Sequence, residues 1–317
     1  MKISLITPAN KQSRTGNRTT AVRWQGLLQA LGHAVDVATD YDGRPADMMI
    51  AVHAWRSADS IERFHAAHPG RPLVVLLSGT DIYRFQHSHP ETTLRSMEIA
   101  DELVCLHDLV HAAIPGRYAG KLHVIHQSAR PLTAPRRPSR KTFDICVIGH
   151  LREEKDSLRT AEAAALLPPE SRLRVIHLGK AHDASWAERA RQEMARNPRY
   201  HWRGDVPGWM VRRVFGQSHL MVLSSIMEGG ANVISEAVVA DLPVIASDID
   251  GSVGLLGDDY AGYYPVGDTA ALAKVLRRAE TEPDFLQTLT TQCRARRELF
   301  DPAREREGWE KLLARLG

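Results

Sequence analysis

Along the chain, short apolar runs alternate with longer segments whose apolar positions recur at helical spacing. In the first half, Lys2 to Thr7, Ala34 to Ala38, Met48 to His53, Leu73 to Leu77, Glu102 to Leu106 and Leu122 to Ile125 predict buried strands. Helical segments fill the gaps between them. Thr20 to Leu31 carries Ala21, Trp24, Leu28 and Leu31 on one stripe, as a helix lying on a sheet requires. Pro131 to Arg140 interrupts the alternation with Pro131, Pro135 and Pro138 and predicts an extended linker. The alternation then restarts, with strands predicted at Phe143 to Ile148, Leu173 to Leu178, Tyr200 to Trp202, His219 to Leu223 and Pro243 to Ala246. The pattern predicts an α/β protein of two Rossmann-like domains, residues 1–130 and 141–300, joined by the linker 131–140 and facing each other across a cleft. A last helix, residues 302–317, is expected to return to the first domain.

Composition leaves this picture intact and narrows the function. The 317 residues are enough for two cores, and 43% hydrophobic with 25% charged residues is ordinary for a globular chain. No apolar run is long enough for a membrane helix, and the first residues lack the apolar core of a secretion signal, so the expected location is the cytoplasm. Cys105, Cys146 and Cys293 are widely spaced, which suits a reducing compartment and predicts neither metal ligands nor nucleophiles. A net charge of +3 implies no nucleic-acid partner.

The densest candidate chemistry runs from Glu228 to Glu236. The apolar run His219 to Leu223 is followed by Gly229-Gly230 and then by a helix predicted from Asn232 to Ala240. A strand, a glycine turn and a helix start offer unpaired N–H groups to a phosphate, with Glu228 before the turn and Glu236 one helical turn after Asn232. Both carboxylates can accept hydrogen bonds from sugar hydroxyls. G-x-G-x-x-G and G-x-x-x-x-G-K-[ST] are absent after every predicted strand, which argues against a dinucleotide and against a P-loop. Asp248-Ile249-Asp250 has the form of a metal-binding D-x-D, but Gly251-Ser252 follows it and a turn explains it.

The ordered segments Gly149-His150-Leu151-Arg152-Glu153-Glu154-Lys155, Gly204-Asp205-Val206-Pro207, Ser224 to Gly230, Ser235-Glu236-Ala237 and Leu242 to Ser247 resemble the signature of GT-B glycosyltransferases of family 4. The resemblance implies that Glu228 contacts a donor sugar and Glu236 the ribose hydroxyls. It also assigns Val206, Gly229, Gly230, Ala231, Asn232 and Val233 to a UDP-sugar, and Lys155 to the diphosphate. The family's arginine position is His150 in this chain, so either His150 or Arg152 is expected to supply the second diphosphate contact. No metal and no other cofactor is implied, because fixed cations and a helix N-terminus stabilise a departing diphosphate.

Between the first strand and the first helix, Lys11-Gln12-Ser13-Arg14-Thr15-Gly16-Asn17-Arg18-Thr19-Thr20 combines cations, hydroxyls and a glycine before a helix start, a composition suited to an anion. Together with Val52-His53-Ala54-Trp55-Arg56-Ser57 and Leu77-Ser78-Gly79-Thr80-Asp81, this segment resembles the selenosugar synthases of selenoneine biosynthesis. That resemblance implies transfer of the sugar of UDP-N-acetylglucosamine or UDP-glucose to selenophosphate, with UDP released and phosphate lost afterwards. Lys11, Arg14, Thr15, Gly16, Asn17, Arg18, Thr19 and Thr20 would hold selenophosphate, and His53 would touch the donor sugar. It further implies functional links to a selenophosphate-producing enzyme and to a downstream selenoneine synthase. Two other functions fit part of the pattern: a family 4 transferase using an alcohol acceptor, and a non-catalytic UDP-sugar binder, neither of which needs the basic loop.

Overall fold

The apolar runs of the first half form six strands: β1 (Lys2–Ile6), β2 (Ala34–Ala38), β3 (Met48–Val52), β4 (Leu73–Leu76), β5 (Glu102–Cys105) and β6 (Leu122–Val124). The computed structural model that defines them describes residues 1–13 and 15–317. These strands pair in the order β2-β1-β3-β4-β5-β6, all parallel. Parallel sheets are covered on both faces, which is why β3 and β4 are buried at every position. On one face lie Ile61, Phe64, Met97 and Tyr118, and on the other Trp24, Leu28, Trp309 and Leu312.

The second half gives β7 (Phe143–Ile148), β8 (Leu173–Leu178), β9 (Tyr200–Trp202), β10 (Leu220–Leu223), β11 (Val244–Ser247) and β12 (Tyr263–Tyr264). Their order is β12-β11-β10-β7-β8-β9, again all parallel. Counted within this sheet the order is 3-2-1-4-5-6, that of Rossmann folds, whereas the first sheet follows the 2-1-3-4-5 order of flavodoxin-like folds. β12 has only two residues and no apolar run announces it.

Two units result. The first comprises Met1–Ser128, Glu228–Ala231 and Pro302–Gly317, and the second Ala129–Met227 and Asn232–Asp301. Within the first unit, the Pro302–Arg315 helix is fixed by Glu305, which is buried and accepts hydrogen bonds from Trp24 Nε1 at 2.9 Å, Arg23 Nε at 3.1 Å and the Ser128 backbone N–H at 2.9 Å. Trp24 meets Trp309 edge to face at 4.7 Å. In the second unit, residues 131–140 have no regular structure but are held down. Arg136 donates to the carbonyls of Ser218, His219 and Asp241, and the Arg137 N–H donates to Gly216.

The first helix differs from its expected start. It spans Gly16–Ala30, so Gly16 to Thr19 form its first turn instead of a loop. Thr15 adopts an extended conformation (φ −72°, ψ 160°) and ends the preceding segment. The apolar stripe begins only at Thr20 and Ala21, so the polar first turn carries no periodic signal. Among the described residues, no helix is long and apolar enough to cross a membrane.

Candidate functional site

In a doubly wound sheet, ligands bind beyond the carboxyl ends of the strands where the order reverses. In the second unit that point lies between β7 and β10, which are neighbours. The loops that follow them contain His150, Arg152 and Lys155 after β7, and Ser224 to Met227 after β10.

These two loops are stitched together. Ser224, almost fully buried, donates its hydroxyl to the carbonyls of Lys155 at 3.0 Å and Asp156 at 3.1 Å, and the Ile226 N–H donates to the Glu154 carbonyl at 2.9 Å. Lys155 closes a short 3-10 turn, Glu153–Lys155, after which Asp156 takes a left-handed conformation (φ 43°). The aliphatic part of Lys155 lies over Gly149, where a built Cβ would sit 3.8 Å from its Cδ. A small pocket is lined by Gly149, Lys155, Ser157, His177, Ser224 and Ser225.

Below this pocket, His177 orients Gly149. Its Nε2 lies 3.1 Å from the Gly149 carbonyl and its Nδ1 2.9 Å from the Tyr200 hydroxyl. A carbonyl only accepts, so Nε2 carries the proton and Nδ1 accepts from the tyrosine. Burial pushes the His177 pKa down from 6.5 to about 4, so the ring is neutral near pH 7.

His150 and Arg152, the two candidates for the second diphosphate contact, differ in their surroundings. His150 Nδ1 accepts from the Lys180 N–H at 3.0 Å, which leaves the ring proton on Nε2. Arg152 Nε lies 3.8 Å from a Glu154 carboxylate oxygen. Val206 is half-buried in the loop after β9, just before the Gly208–Gln217 helix. In the same loop the Gly204 carbonyl accepts from the Gly179 N–H at 2.8 Å.

After β10 the chain reaches the Asn232–Val239 helix through Glu228-Gly229-Gly230-Ala231. Glu236 stands one turn into that helix, where Asn232 Nδ2 donates to its Oε1 at 2.6 Å. Val233 is half-buried in the first turn of the same helix. Glu228 to Ala231 cluster with the first unit, where Gly79 and Gly229 meet backbone to backbone. A Cβ on Gly79 would lie 2.4 Å from the Gly229 nitrogen, and a Cβ on Gly230 (φ 107°) would lie 2.5 Å from Leu106 Cβ. No side chain larger than hydrogen fits either place.

In the first unit the strand order reverses between β1 and β3. The segment after β1 is the basic one of the sequence. Lys11 is exposed, Thr15 and Ser13 share a hydroxyl hydrogen bond at 3.0 Å, and Gly16, Asn17, Arg18 and Thr19 form a first helical turn that contains no acidic residue. Arg14 lies outside the described residues. Thr20 is buried and its hydroxyl oxygen accepts from Gln127 Nε2 at 2.6 Å.

His53 directly follows β3 in a left-handed conformation (φ 81°) and is buried, with Nδ1 2.7 Å from Asp81 Oδ1 and Nε2 3.0 Å from Thr80 Oγ1. Asp81 and Thr80 follow β4, and neither was singled out for chemistry by sequence pattern. His177 carries no sequence signal either, and Ser224, though part of the signature segment, shows its role only through its contact with the loop after β7. Position at a strand's carboxyl end was the available signal. Cys105 and Cys146 are buried, which pushes each thiol up to about 12, and Cys293 is buried too. Asp248 lies in a bend and Asp250 opens the Asp250–Leu256 helix. Among the described residues, no group of three or more His, Cys, Asp or Glu is arranged to hold a metal ion.

Residues 133–296 match the family "Glycosyl transferases group 1". A curated relative, glycosyltransferase 1 domain-containing protein 1 of Xenopus tropicalis, is 22% identical over 93% of this chain and 92% of its own length. Sucrose-phosphate synthase from Thermosynechococcus elongatus superimposes with a TM-score of 0.82 at 18% identity, covering 99% of this chain and 98% of that one. Anabaena HepE in complex with UDP-glucose gives 0.78 at 16% identity, covering 99% and 100%.

Proposed function

The chain belongs to the group 1 glycosyl transferases and has their GT-B fold, and from this premise we propose that it transfers the sugar of a UDP-sugar to selenophosphate. The donor half of the reading rests on one observation above others. Lys155 is fixed at the reversal point of the second sheet by the Ser224 hydroxyl and the Gly149 backbone, while Asn232 holds Glu236 at the next helix. A cation and a helix start suit a diphosphate, and a carboxylate suits a ribose. HepE, which shares the fold, is a UDP-glucose binder.

The reaction is a displacement at the anomeric carbon. Selenium attacks that carbon, the bond from carbon to the diphosphate oxygen breaks, and its electron pair leaves with UDP. Lys155 and Arg152 offset the charge that develops on the leaving diphosphate, and the His150 Nε2–H adds a neutral donor. Glu228 orients the sugar. No metal or other cofactor is required by these groups.

The acceptor half rests on the acid-free first turn after Thr15, where the backbone N–H groups of Gly16, Asn17 and Arg18 have no intrahelical acceptor. Selenophosphate is already anionic, so it needs to be held and aimed, not deprotonated. Loss of phosphate then yields the free selenosugar.

The test is to incubate the protein with UDP-N-acetylglucosamine or UDP-glucose and selenophosphate, and to look for UDP and a selenium-bearing sugar by mass spectrometry. Both are expected. UDP release only with an alcohol acceptor would replace selenophosphate in this reading, and equal turnover with thiophosphate would remove the selenium selectivity.

A further inference from the structure

Three side chains of the first unit form a line that the transfer step does not use. Asp81 is fully buried and accepts from the backbone N–H groups of Ser78, Ala54 and Trp55, each at 2.9 Å. His53 Nδ1 is 2.7 Å from the same carboxylate. The Arg56 N–H also faces Nδ1 at 3.2 Å, but the shorter contact to a group that only accepts fixes the proton on that nitrogen. Nε2 is then the acceptor, and Thr80 Oγ1, 3.0 Å away, donates to it. His53 and Asp81 are sealed from solvent, whereas Thr80 is only half-buried. The hydroxyl is the open end of the line.

The surrounding backbone is strained and pinned. His53 holds φ at 81°, a region that a non-glycine residue keeps only where neighbours over-determine it. The turn carrying Thr80 runs directly into a π-helix, Asp81–Phe85, a form found mostly as an insertion at functional sites. On one side of Thr80, Gly79 is locked against Gly229. On the other, Ser78 Oγ donates to Asn17 Oδ1 at 3.4 Å, which ties this turn to the first turn of the Gly16–Ala30 helix. That hydrogen bond places the helix start beside the turn that carries Thr80.

We propose that Asp81, His53 and Thr80 form a proton relay that cleaves the phosphorus–selenium bond of the transfer product. This rests on the reading of selenophosphate as acceptor. Of the two bond changes in that reaction, attack by an anionic selenium moves no proton, whereas attack by water on phosphorus releases one that has to reach selenium. Thr80 Oγ takes a proton from water as it gives its own to His53 Nε2, and the resulting imidazolium is paired with Asp81. A bond forms between the water oxygen and phosphorus, the phosphorus–selenium bond breaks, and its electron pair goes to selenium. His53 returns the proton through Thr80 to selenium. One water is consumed, and a selenol and hydrogen phosphate leave. Thr80 is the catalytic residue, and His53 and Asp81 act through it.

The experiment measures phosphate and UDP released per turnover, together with the mass of the sugar product, for the full chain supplied with a UDP-sugar and selenophosphate. The wild type is expected to release the two in equal amounts, and in H2-18O its phosphate should carry one 18O atom. Thr80→Val should lower the phosphate-to-UDP ratio at least tenfold and accumulate a sugar bearing both selenium and phosphate, and Thr80→Ser should restore the ratio. His53→Gln serves as the second variant if Thr80→Val fails to fold, with the same expected ratio. An unchanged ratio in the folded variants overturns the relay, as does loss of UDP release together with phosphate release in a variant that unfolds like the wild type. Phosphate without 18O also overturns it. If the wild type releases no UDP with selenophosphate, the acceptor reading itself fails, and the relay falls with it.

Discussion

Ser224 is the residue on which the position of Lys155 depends most directly, and Ser224→Ala is the perturbation that exposes this. Its hydroxyl bridges two successive carbonyls, Lys155 at 3.0 Å and Asp156 at 3.1 Å, from a site almost closed to water. Removing it deletes the equivalent of one to two neutral hydrogen bonds, about 1–2 kcal/mol. If the whole loss falls on the contact of Lys155 with the leaving diphosphate, turnover drops roughly 5- to 30-fold, since about 1.4 kcal/mol is a factor of ten. The loss should appear in kcat more than in KM, because the charge on the diphosphate grows only as the bond to the sugar breaks. The assay is UDP release measured for Ser224→Ala, Lys155→Ala and the double variant. Should the serine act through the lysine, the double variant will be no slower than Lys155→Ala alone. Effects that multiply independently would show that Ser224 serves something other than Lys155, and the argument from loop stitching would be wrong.

Glu236→Ala is expected to weaken UDP binding by about 2 kcal/mol or more, roughly 30-fold, as a hydrogen-bonded carboxylate is lost; unchanged affinity by calorimetry would refute its ribose role. Glu305→Gln turns an acceptor of several hydrogen bonds into a group with its own N–H donors facing Trp24, Arg23 and Ser128. The first unit should lose about 2–4 kcal/mol, followed in urea by the fluorescence of Trp24 and Trp309, and a change below about 0.5 kcal/mol would contradict the network. His107 and His177 are both held near a pKa of about 4 by burial, below the ordinary 6.5. Between those values the unfolded rings take up protons that the folded rings refuse, so stability falls as pH drops from 6.5 towards 4, by up to roughly 3 kcal/mol for each ring. Urea midpoints measured across that range should decline with acid, and a flat profile would mean that the rings are not buried neutral.

The strands were legible because a parallel strand covered on both faces is a continuous apolar run, and β3 and β4 are buried at every position. Loops after β7 and β10 were legible for a related reason: glycine and charged residues that break an apolar run mark the strand's end locally. The first turn of the Gly16–Ala30 helix was not, since Gly16 to Thr19 lack any apolar position to set a phase. Two-residue β12 offers no period at all. The pairing of His53 with Thr80 spans 27 residues and, like that with Asp81, exists only because β3 and β4 are neighbours, which is a property of strand order and not of either segment. The contacts of Ser224 and His177 are hidden in the same way until the partner strand of each is known.

Strand order also explains why glycines recur at these loops. β7 and β8 pair in register along their whole length, so their ends arrive together, and the Gly149 N–H donates to the Leu178 carbonyl at 2.9 Å. There a Cβ on Gly179 would fall 1.9 Å from the Gly149 carbonyl oxygen, with backbone on both sides and no flexible group to move away. Gly179 in turn donates its N–H to Gly204, at the start of the loop that bears Val206. The three glycines therefore bring the loops after β7, β8 and β9, which carry Lys155 and Val206, into direct backbone contact. His177 adds the remaining constraint, since its Nε2–H takes one lone pair of the Gly149 carbonyl and fixes the plane of the peptide that leads into His150. A peptide held from both sides at that point gives the Lys155 stem a fixed floor at Gly149, set by backbone and by a buried neutral histidine.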